Sequence, residues 1–186
     1  DVIWKVSLDR FSLPHGKWLF LNLSLVAVVV GLFLSAEHTC TFYAMLMAGF
    51  ILAMLSQRFV FVNAELKSEV VTGILLMMAA CLMYFSGDRN AINLISPTLL
   101  GCGIGIIGAR FLLFFLKLSL HCQRGTSQST FFLSWEFGIS LGIFLGYYFF
   151  YNDISAMYIV ALTILCMAML MYLLFTHTWY IKNKNR

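Results

Sequence analysis

The chain has 186 residues, of which 61% are hydrophobic and only 11% charged, with a formal net charge of +4. Soluble domains carry roughly a quarter charged residues, so the composition speaks against disorder, a disulfide scaffold and an ordinary soluble enzyme. The expected class is an all-α polytopic membrane protein.

Residues 1–17 come first in the chain. Trp4, Leu8 and Phe11 share one helical face, and Lys5 and Asp9 are spaced i,i+4. This predicts a cytoplasmic amphipathic linker helix that lies on membrane lipid, docks a partner domain or simply connects. Pro14 and Gly16 interrupt the pattern before the first apolar run.

Charge-free runs then cover 18–36, 38–57, 70–87, 90–109 and 154–181, and 125–152 is broken only by Glu136. A spanning helix needs about 20 mostly apolar residues, whereas a barrel strand shows about ten alternating ones. The runs predict six transmembrane helices at about 18–36, 40–60, 69–86, 92–117, 128–151 and 154–177, within a bundle covering 18–181. A basic cytoplasmic tail, 182–186, follows.

Ten Lys and Arg residues (5, 10, 17, 58, 67, 117, 124, 182, 184 and 186) fall on one side of such a bundle, and Arg89 alone falls on the other. The positive-inside rule therefore places both termini in the cytoplasm. The net charge follows from that topology and does not point to nucleic acid. Cys40, Cys81, Cys102, Cys122 and Cys166 are scattered without a CxxC, and His15, His38, His121 and His177 lie at or beyond the predicted membrane edges. Neither set has metal-ligand spacing, and no metal or cofactor is expected.

Two features inside the spans could carry chemistry or packing. Gly103, Gly105 and Gly108 match GxGxxG but lie within an apolar helix, where no strand precedes them and no pyrophosphate site is expected. Helical spacing instead groups Gly101 with Gly105 and Gly138 with Gly142 and Gly146, as small-residue stripes that predict close packing of the fourth span on the fifth. Arg110 and Glu136 are charges within spans, each costing about 2.5–3.5 kcal/mol at a helix centre. Counted from Arg124 they sit at similar depth. They either pair structurally or face a substrate or proton pathway to which Trp135 and Asn22 contribute. In the second case Glu136 is the candidate proton carrier.

The stretch Ala53-Met54-Leu55-Ser56-Gln57-Arg58-Phe59 resembles the GxLaDRxGRR loop of the major facilitator superfamily of secondary transporters. Leu55, Ser56 and Arg58 match. Ala53 replaces the first Gly, Gln57 the Asp and Val60 the second Gly, and the basic end of the motif is missing. Residues 124–142, RGTSQSTFFLSWEFGISLG, look like the helix 10–loop–helix 11 region of bacterial members of that family. The resemblance implies the C-terminal six-helix half of a twelve-helix carrier in a bacterial inner membrane. It also implies a small-molecule substrate, a second six-helix half as partner, and Arg58 and Arg124 in cytoplasmic loops that stabilise one conformation. The expected function is secondary, proton-coupled solute transport. The alternatives are a non-transporting scaffold or sensor and an intramembrane enzyme. The enzyme would need convergent catalytic groups at one depth, which the sequence does not supply, so no catalytic residues are expected.

Overall fold

A computed structural model describes residues 13–36, 38–87 and 90–184. The described residues form α1 (Leu13–Ser35), α2 (Cys40–Phe59), α3 (Leu66–Phe85), α4 (Asn90–Leu118), α5 (Arg124–Phe149), α6 (Ile154–Met171) and α7 (His177–Asn183), with no strand among them. A π-helical turn, Tyr172–Thr176, joins α6 to α7, so the last span runs unbroken over Ile154–Asn183. Six helices are long and apolar enough to cross a membrane. The shortest whole helices among them have 20 residues, about 30 Å at 1.5 Å per residue, which matches a hydrocarbon core. This is an all-α polytopic membrane fold.

The expected boundaries shift by a few residues. α1 begins no later than Leu13, so Pro14 and Gly16 lie inside it rather than ahead of it; helices tolerate proline in a first turn. The last span extends past 177 because the π turn carries the helix on instead of ending it. Most of the predicted amphipathic segment, residues 1–12, lies outside the described residues. Gly87 closes α3 at φ +131°, a conformation that L side chains rarely adopt. Asp153 caps α6 by accepting a hydrogen bond from the Ala156 N–H at 3.1 Å.

In a membrane both faces of a helix are apolar, so small and polar residues decide which face turns inward. The two glycine stripes do decide it, but not against each other. A Cβ on Gly101 would strike the Leu46 carbonyl oxygen of α2, and one on Gly105 would meet Ala53. Likewise Gly138 meets Ser24 and Ala27 of α1, Gly142 meets Val28 and Gly31, and Gly146 meets Ser35. The stripes therefore seat α4 on α2 and α5 on α1, correcting the expected packing of the fourth span on the fifth. Each finds a matching small-residue stripe, Gly49 and Ala53 on α2 or Ala27, Gly31 and Ser35 on α1.

The pairing has internal order. α1 packs on α5 and α6, α4 packs on α2 and α3, and α3 meets α6. Exchanging the first three spans for the last three preserves these pairs, whereas the further contact of α4 on α5 has no counterpart of like extent between α1 and α2. Three is odd, so the second unit enters the membrane from the opposite end, as in an inverted repeat. Leu23, Val26, Val29 and Phe33 of α1 meet Ile74, Met77, Phe111, Phe114 and Leu165 in the core.

Candidate functional site

Arg110 does not pair with Glu136. Its Nε donates to Oε2 of Glu69 on α3, the only ion pair among the described residues. The Glu69 side chain is 1% exposed and that of Arg110 19%. Helical phase explains the choice. Glu69 shares a face of α3 with Gly73, Met77 and Ala80, all buried. Arg110 shares a face of α4 with Gly103 and Ile107, and the glycines and Ile107 lock the two faces together. Glu69 stands three residues inside α3 and Arg110 eight residues from the end of α4, so the pair lies near the basic end of the bundle. Nearby helices fill that end with rings: Phe114 lies 4.4 Å from Tyr180 and 6.5 Å from Tyr172. The Tyr172 hydroxyl stands 3.1 Å from Nδ1 of His177.

Glu136 points the other way. It lies 12 residues into α5 and 13 from its end, about 18 Å from either, on the exposed side of the helix. Gly138 is only two residues on, about 200° around the helix, so the stripe that seats α5 on α1 turns Glu136 outward. Ser129, Ser140 and Tyr147 are exposed at i−7, i+4 and i+11 of the same face. Among the described residues Glu136 makes no hydrogen bond and no ion pair. It is thus a mid-span carboxylate on the outside of six helices.

Trp135, next to it, is half-buried. Its ring lies edge-on to Phe131 at 6.4 Å and against Gly108 of α4. Asn22 does not reach the α5 face. It is fully buried between α1 and the last span, and its Nδ2 donates to the Ala168 carbonyl at 3.1 Å and to Thr176 Oγ1 at 3.4 Å. The Ala168 carbonyl also accepts the Tyr172 N–H, so Asn22 adds a second donor there, while its Oδ1 is buried without a partner. Arg58 and Arg124 are exposed at the basic end, at the last turn of α2 and the first residue of α5. Gln57, in the loop-like motif, has a buried Nε2 without a partner.

The sequence reading singled out Arg110, Glu136, Trp135 and Asn22 as one group; the structure separates them. Arg110 turns to α3, Asn22 to the last span, and Glu136 with part of Trp135 remains on the open side. It missed Glu69, which falls at the edge of a charge-free run but stands in phase with Gly73 and Met77. Compared with known proteins, the chain matches no family model, no curated protein and no solved structure.

Sequence reading also missed a cavity of about 480 Å³ at the end opposite the basic one, lined by His38, Phe42, Tyr84, Asn93, Ser155 and Tyr158 among others. Tyr84 and Tyr158 stack there at 5.4 Å. His38, in the connection between α1 and α2, stacks on Phe42 at 3.6 Å and its Nε2 hydrogen-bonds the Phe33 carbonyl at the end of α1. Burial holds its imidazole below the ordinary value of 6.5, and the Phe33 bond only partly offsets this. The unfolded chain then binds a proton that the folded one resists, so stability is present at neutral pH and falls as pH drops through about 6.5. Thermal unfolding of purified protein between pH 8 and 5 is expected to show that loss, and His38→Gln to flatten it.

Proposed function

We propose that this chain is the C-terminal six-helix half of a secondary carrier of major-facilitator type. It moves a small solute across a bacterial inner membrane, with both termini in the cytoplasm and with proton coupling. The observation that carries the reading is the outward face of α5, where Ser129, Glu136, Ser140 and Tyr147 form a polar stripe along the span. Lipid does not accommodate such a stripe cheaply, since a mid-span carboxylate costs about 2.5–3.5 kcal/mol. A water-filled path between this bundle and a second one removes that cost. The two three-helix units of like pairing and the resemblance of the C-terminal end of α2, Ala53–Phe59, and of the α5 sequence support the same family.

Full-length protein in liposomes loaded with a pH-sensitive dye tests the reading. A panel of solutes should include at least one that drives proton movement, and Glu136→Gln should reduce that movement by at least about tenfold, in the range of a lost proton-transfer group. Absence of solute-driven proton movement across the panel, or full activity of the variant, would contradict proton-coupled transport through Glu136.

One observation favours the scaffold reading: Arg110, also a charge within a span, is already satisfied inside the bundle by Glu69. A scaffold would keep its partner binding when Glu136 is replaced by Leu, whereas a carrier loses transport.

A further inference from the structure

We propose that Glu136 and the rings beside it on the open face of α5 recognise a lipophilic cation, which is then the substrate class of the carrier. The inference rests on the carrier reading above.

The charge balance comes first. Glu136 has no cationic partner among the described residues, because Arg110 is held by Glu69 on another face. The remaining described basic residues near the spans, such as Lys17, Arg58, Lys117 and Arg124, sit at helix ends. Arg124 is 12 residues away along α5, about 18 Å. What neutralises Glu136 is then a proton or a cation that comes from outside these six helices.

The surroundings then say what kind of cation fits. Phe132 lies one turn below Glu136 and Phe137 beside it, 49% and 54% exposed. Exposed ring faces attract a cation that has shed its water by about 0.5–2 kcal/mol each. A small hard cation needs six or more oxygen ligands, and Glu136 with Ser140 does not provide them. A bare proton has no use for rings. A bulky, weakly hydrated organic cation uses all three features: the carboxylate for charge, the rings for its apolar body and the serine hydroxyls for any polar group it carries.

Tetraphenylphosphonium is the probe, with tetraphenylborate as its anionic counterpart of like shape, and binding to purified full-length protein is measured by equilibrium dialysis. The phosphonium should bind and the borate should not. Glu136→Gln should weaken phosphonium binding by at least about tenfold, while Glu136→Asp should stay within about threefold. Unchanged thermal unfolding of both variants would show that the fold is intact. Equal binding of the two ions overturns the proposal, because it means apolar adsorption alone. Unchanged binding by the Gln variant also overturns it, because a Lys or Arg of the covering bundle would then be what neutralises Glu136. Labelling Glu136→Cys with a membrane-impermeant maleimide separates the two levels. A labelled cysteine without phosphonium binding removes the cation and leaves the carrier; an unlabelled one without binding removes both.

Discussion

Replacing Glu69 by Leu is expected to destabilise the protein by about 3–5 kcal/mol, because it leaves the Arg110 guanidinium in the bundle without its carboxylate. Arg110→Leu should cost a similar amount by stranding Glu69, whose side chain is 1% exposed. Replacing both together, Glu69→Leu with Arg110→Met, should restore most of the loss, since apolar pairs of like volume often equal a buried ion pair or exceed it. Denaturant titration of the purified protein in detergent, run as a double-substitution cycle, measures all three. Additive losses would mean that the two side chains do not stabilise each other. The cycle also tests the separation of roles, since a structural Arg110 predicts that the double variant keeps solute transport while Glu136→Gln does not.

Gly142→Leu should have the second large effect. A single Cβ at Gly142 already overlaps the Val28 carbonyl, and Gly31 lies at 2.8 Å. Both are backbone atoms of a packed helix, which do not swing aside as a side chain would. Overpacking of a core typically costs about 1–3 kcal/mol, and here the upper end of that range is expected, with α5 lifted off α1. Gly125, in the first turn of the same helix, has open space around its position. Gly125→Ala should therefore be neutral, or stabilising by less than the roughly 1 kcal/mol that separates the two residues in a helix interior. Comparing the unfolding midpoints of the two variants shows whether close approach or helix propensity governs α5.

The number and place of the spans could be read from the positions of twenty charged residues, because bilayer thickness sets helix length with little help from tertiary structure. The pairing of helices could not be read in the same way. Gly101 and Gly138 announce close packing, yet the partner of each stripe depends on which other helix offers small residues at the same depth. Gly49 and Gly31 do so, and neither stands in a glycine-rich run. The charged residues show a related limit. Depth along the chain placed Arg110 and Glu136 together, but azimuth separates them: Arg110 is in phase with Gly103 and Ile107, while Glu136 is half a turn from Gly138. Reading each charge against the nearest glycine stripe would have turned Glu136 outward and drawn attention to Glu69. The π turn beside Asn22 had no comparable signal, since Tyr172–Thr176 reads as ordinary apolar helix.

On the proposed function the α5 face carrying Glu136 borders water rather than lipid. Its most direct test is labelling of single cysteines by a membrane-impermeant maleimide in native membranes, in full-length protein whose native cysteines, the five of this chain included, are replaced. Positions 129, 136, 140 and 147 should react, while Leu75 and Leu82 of α3 and Ile159 of α6, exposed apolar residues outside that stripe, should not. Protection of 136 and 140 to the level of Leu75 would place Glu136 in lipid or in a dry interface and contradict the account.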